Sequence, residues 1–86
     1  MLGSSVLILG AGPVGLAILT SVRAAGASMV VVSEPSARRR DTAARMGAAA
    51  ALDPTDSSPG RAIRELVDND GVDLVFDTTA ASGASM

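Results

Sequence analysis

Ser5-Val6-Leu7-Ile8-Leu9-Gly10-Ala11-Gly12-Pro13-Val14-Gly15 decides how the 86-residue chain folds. Val6 to Leu9 reads as a short buried strand. It runs into three glycines, Gly10, Gly12 and Gly15, at the G-x-G-x-x-G spacing. A helical pattern follows at once, with Pro13 at the first position, where a missing N–H costs nothing. Strand, glycine turn and helix N-terminus in this order form a seat for the pyrophosphate of a dinucleotide. Gly10 permits the tight turn, Gly12 lets the backbone approach the phosphates, and Gly15 lets the helix pack close to the strand. The helix end adds free N–H groups and a partial positive charge.

Outward from that stretch, helices and strands alternate. Pro13 to Ala25 carries Val14, Ile18 and Val22 at four-residue spacing with Leu19 beside them, one apolar helix face, and Gly26 stops it. Met29 to Val32 is a β-branched strand closing in Ser33 and Glu34. After Pro35, Ser36 is placed to cap a second helix, Ala37 to Met46, stopped by Gly47. Ala48 to Leu52 is a third strand by its position in the alternation, since alanine is a poor strand former. Asp53-Pro54 opens a loop. Ser58 caps a third helix with Pro59 at its start and Ile63, Leu66 and Val67 facing inward, and Val72 to Phe76 is a fourth strand ending at Asp77.

The order βαβαβαβ predicts an α/β fold of the Rossmann type, a parallel sheet with strands in the order 3-2-1-4. Residues 1–77 form a nucleotide-binding half-domain, and 78–86 a tail leading into a missing remainder. In this topology the first two helices cover one face of the sheet. The second face of Val30-Val31-Val32 is expected to be bare and the fourth strand to be an open edge. The expectation is therefore an incomplete fold, a piece of a larger protein or a truncated copy, that self-associates through exposed sheet or docks on the missing part.

Composition narrows the chemistry. The net charge is −2 and Phe76 is the only aromatic residue, so neither a basic face nor stacking rings point to nucleic acid. Cysteine and histidine are both absent. That removes disulfides, Cys/His zinc sites, a cysteine nucleophile and histidine acid–base chemistry from this chain. Residues 1–22 carry no charged side chain, but glycines, Pro13 and serines interrupt them and no basic start precedes them, which argues against a membrane or targeting segment. A cytoplasmic protein is expected.

Glu34 is the second anchor. It lies 19 positions after Gly15, at a strand end where a carboxylate can accept both ribose hydroxyl hydrogens. A 2′-phosphate there would meet a like charge, which favours NAD over NADP. Arg38, Arg39 and Arg40 follow closely, and an arginine can accommodate that phosphate, so NADP stands as the second choice. Thr78 and Thr79, after Asp77, lie at the carboxyl edge, where they either line the cofactor or are simply small loop residues. No catalytic residue and no metal ligand is expected. Asp53, Asp56, Glu65, Asp68, Asp70 and Asp73 read as surface acids.

Val6-Leu-Ile-Leu-Gly-Ala-Gly-Pro-Val-Gly-Leu16 resembles the nucleotide-binding opening of the zinc-type alcohol dehydrogenases, the medium-chain dehydrogenase/reductase superfamily. So do Ala24-Ala-Gly-Ala27, Met46-Gly-Ala48, Asp53-Pro54 and Gly71-Val-Asp-Leu-Val-Phe-Asp77. The resemblance implies that Gly10, Gly12, Pro13, Val14 and Gly15 lie under the pyrophosphate and Glu34 and Arg39 beside the adenosine ribose. It also places Thr78 and Thr79 along the cofactor. Ala80 departs from the family's usual glycine. Ser33-Glu-Pro-Ser36 looks most like the polyol and butanediol dehydrogenase branch. Catalytic zinc belongs, by the same resemblance, to a catalytic domain missing from this chain. Two other readings stand beside an NAD-binding dehydrogenase segment: a regulatory nucleotide-sensing module and a non-functional remnant.

Overall fold

The computed structural model describes residues 2–55 and 72–79. Its elements are β1 (Ser5–Leu9), α1 (Pro13–Ala24), β2 (Met29–Ser33), α2 (Ala37–Arg45), β3 (Ala50–Leu52) and β4 (Leu74–Asp77). The four strands are parallel and lie in the order β3-β2-β1-β4, as the alternation predicts. The third predicted helix, with Ser58, Pro59, Ile63, Leu66 and Val67, lies outside the described residues, as does Ala80.

Local chemistry sets the element ends. Gly26 and Gly47 take φ of +94° and +105°, the left-handed conformation that ends α1 and α2. The Ser36 hydroxyl accepts the Arg39 N–H at 3.3 Å and caps α2. β3 starts at Ala50, two residues later than expected: the Ala48 N–H still donates to Ala43 O of α2, and only the Ala49 N–H reaches Val30 O of β2. β4 begins at Leu74 rather than Val72. Asp73 instead anchors the strand's entry: its N–H donates to Ser5 O, and its carboxylate accepts the Ser5 N–H at 2.8 Å. Asp73 is thus an exposed acid, as its sequence reading has it, that also anchors the strand.

Alternation along β1 and β2 sends side chains to opposite faces. Val6, Ile8, Val30 and Val32 bury against Leu19 and Val22 of α1 and Ala43 of α2, so both helices cover one face. Fully buried Ile8 and Leu19 each contribute about 1.5–3 kcal/mol of apolar burial. Val14 departs from the predicted apolar face. It is exposed, because the buried stripe of α1 runs through Gly15, Leu19 and Val22 instead.

The second face of β2 is not bare. Val31 is 1% exposed and clusters with Leu7, flanked by Leu9, Met29, Ala50, Leu52 and Val72. Two neighbouring apolar side chains of β4 are exposed, Val75 at 55% and Leu74 at 37%. Among the described residues β4 pairs only with β1 and stands at one edge of the sheet.

Candidate functional site

The carboxyl ends of β1, β2, β3 and β4 converge on one pocket of about 350 Å³. Gly10 and Gly12 supply its floor after β1, Glu34 and Pro35 one wall after β2, Pro54 a wall beyond β3, and Thr78 and Thr79 the side after β4. The crevice outside the carboxyl ends of the strands is where open α/β sheets bind ligands.

The glycine turn is shaped by contacts that leave no room for side chains. Gly10 has φ +102°, and a Cβ there would lie 2.5 Å from Thr78 Oγ1. A Cβ on Gly15 would overlap the carbonyl oxygen of Gly10, so α1 starts against the turn itself. Gly12 differs: a Cβ there would meet only the Arg39 guanidinium, at 3.7 Å. Its side facing the pocket is open. Gly12 is also the N-cap of α1, and no side chain caps that end and no acid lies in the first turn. First-turn N–H groups have no carbonyl within the helix to meet. The site therefore presents backbone donors and the positive end of a helix dipole beside an open glycine, a cradle suited to an anion.

Glu34 is 4% exposed. Its Oε1 accepts the Ala11 N–H at 2.8 Å and its Oε2 accepts the Ser36 N–H at 2.9 Å. One carboxylate thus ties the glycine turn to the start of α2. An ionised carboxylate has about four acceptor positions, so one remains on each oxygen. Thr78, 3% exposed, donates its hydroxyl to Leu9 O at 2.8 Å and holds the turn from below.

The three arginines separate. Arg39 lines the pocket, and Arg38 does not. Arg40 Nη1 donates to Glu34 O at 2.9 Å and Pro35 O at 2.8 Å and lies 3.5 Å from Asp53 Oδ2. The Thr55 hydroxyl and N–H both bond Asp53 Oδ1; with the charge of Arg40 they hold that carboxyl below the usual carboxylate value. The Thr79 hydroxyl and N–H lower Asp77 in the same way.

Six of the expected site residues, Gly10, Gly12, Glu34, Arg39, Thr78 and Thr79, meet at the pocket. Gly15 lies behind it, and Pro13 and Val14 are exposed at the helix start without lining it. Leu9, Ser33, Pro35 and Pro54 line the pocket without having been singled out. Their shared signal is position: each stands at, or within two residues beyond, the carboxyl end of a strand.

This is a Rossmann-type crevice with a glycine turn at its floor. The zinc-binding dehydrogenase family model matches residues 13–86, and the chain belongs to that family. It is 39% identical over 82 residues to L-threonine 3-dehydrogenase of Pyrococcus horikoshii, an alignment covering 95% of this chain and 24% of that protein. It is 40% identical over 77 residues to scyllo-inosose 3-dehydrogenase of Thermotoga maritima, covering 90% and 20%. An alcohol dehydrogenase from Thermus sp. ATN1 superposes with a TM-score of 0.86 at 32% identity, over 96% of this chain and 25% of its own. The chain thus spans about a quarter or less of the length of these relatives. Its described residues do not fit a zinc ion: no group of three or more Asp, Glu, His or Cys is placed to hold one, and the chain has neither Cys nor His. No helix among the described residues is long and apolar enough to cross a membrane.

Proposed function

We propose that this chain is the NAD-holding segment of a zinc-type dehydrogenase acting on an alcohol or polyol. The observation that carries the reading is Glu34, buried at the pocket wall with one acceptor position left on each carboxylate oxygen. Those positions suit the two hydroxyls of an adenosine ribose. The pyrophosphate lies over Gly12 at the start of α1. A 2′-phosphate at the same place would meet the charge of Glu34, with only Arg39 among the three arginines lining the pocket to offset it. NAD is therefore preferred to NADP. The chain's own residues bind and orient; hydride acceptance is the chemistry of the nicotinamide.

Calorimetric titration with NAD and NADP tests this. NAD should bind more tightly, and Glu34→Ala should weaken NAD by roughly tenfold, the worth of a hydrogen bond to a charged group, while changing NADP less. Unchanged discrimination removes Glu34 from the reading. No binding of either dinucleotide at millimolar concentration leaves the chain a remnant.

A further inference from the structure

Arg40 does not line the pocket, and its Nη1 is engaged on the far side of the bend after β2. An Nη nitrogen carries two hydrogens. Those of Arg40 Nη1 go to two consecutive carbonyls, Glu34 O and Pro35 O. Asp53 Oδ2, 3.5 Å away, therefore faces it as a charge rather than as a hydrogen-bond acceptor. Asp53 Oδ1 is meanwhile held by Thr55, so the second oxygen is fixed in its direction. One side chain from α2 thereby connects the bend after β2 to the loop after β3. Pro35, whose carbonyl accepts from Arg40, and Pro54, next to Asp53 in the chain, are two rigid apolar rings that both line the pocket.

We propose that Arg40 is a positioning residue for the pocket, setting the separation of Pro35 and Pro54 and thus the width of the slot that receives the flat purine end of the dinucleotide. The inference rests on the dinucleotide reading above and adds to it a residue that touches no part of the ligand. A planar cation with fixed donors suits this task better than a flexible ammonium, because it fixes both carbonyls in one plane. Losing it lets the bend after β2 and the loop after β3 move apart, and small misplacements of binding groups are costly.

The test compares NAD with its 1,N6-ethenoadenine analogue, whose ring is wider, on the whole chain and on Arg40→Met, which keeps the apolar stem and removes the donors. The parent should prefer NAD. Arg40→Met should bind NAD roughly tenfold more weakly and bring the ratio of the two affinities toward one. Asp53→Asn, which retains an acceptor for Thr55, should shift the ratio in the same direction by less, and it provides the measurement if Arg40→Met does not fold. Equal losses for both ligands would mark Arg40 as a purely structural residue and overturn the proposal, as would a parent without preference. A parent that binds neither ligand overturns the dinucleotide reading and this inference with it. A parent that binds NAD while the variants keep the parental ratio overturns this inference alone.

Discussion

A methyl group on Gly15 would run into the carbonyl oxygen of Gly10, whereas one on Gly12 would meet only the end of a flexible arginine. The two glycines of one motif should therefore separate stability from binding. Gly15→Ala should cost about 1–3 kcal/mol, the usual penalty of overpacking, and abolish binding with it. Gly12→Ala should stay within about 1 kcal/mol of the parent, because an N-cap glycine is replaced without a clash. On the proposed reading it should still weaken NAD, since the added carbon would stand where the phosphates approach. Thermal unfolding and titration on both variants check the pair. Equal destabilisation of the two would contradict the difference in their surroundings.

At the scale of elements, the turns that follow β3 and close β4 each hold a carboxylate under a threonine. Asp53 with Thr55 and Asp77 with Thr79 repeat one local pattern, an acid whose Oδ1 accepts the hydroxyl and N–H two residues on. In both, hydrogen bonding holds the folded-state pKa below the ordinary 3.8. A depressed carboxylate contributes stability above its unfolded value and loses it as the pH falls through its folded one. The two turns should thus be intact at neutral pH and loosen only in acid below the ordinary carboxylate range. Thr55→Val should raise the Asp53 titration midpoint toward 3.8, as followed by carboxyl NMR, and leave Asp77 where it was. At the start of α2, Ser36→Ala should cost about 1 kcal/mol, the value of an N-cap, in a denaturant titration.

Among the described strands, the exposed apolar side chains are on β4 and not on β2. Val75 and Leu74 stand out on an edge strand, the kind of surface that recruits another chain. The chain measured alone is expected to bind a hydrophobic dye or self-associate, and Val75→Lys should reduce either. A dye-silent monomer would show that the β4 edge is not sticky. Strand order, glycine turn, Ser36 cap and the place of Glu34 were legible in the sequence because each depends on local spacing or on one chirality rule. The closed second face of β2 was not, since Leu7, Val31 and Val72 come together only once the register is known. Nor was the task of Arg40. Three consecutive arginines look alike as letters, and only the turn of the helix assigns one to the pocket and another to two carbonyls.

The bond from the Ala11 N–H to Glu34 has a kinetic meaning. An amide in an open glycine turn ordinarily exchanges its hydrogen with water quickly, but this one is 2.8 Å from a buried carboxylate within the protein. It should exchange slowly in the absence of any ligand, more like a strand amide than a loop amide. A negative charge of the protein's own already occupies one donor of the turn. On the proposed dinucleotide reading, the phosphate would be received by the donors that follow Ala11, and Glu34→Ala would make the Ala11 hydrogen labile and free it as a further donor.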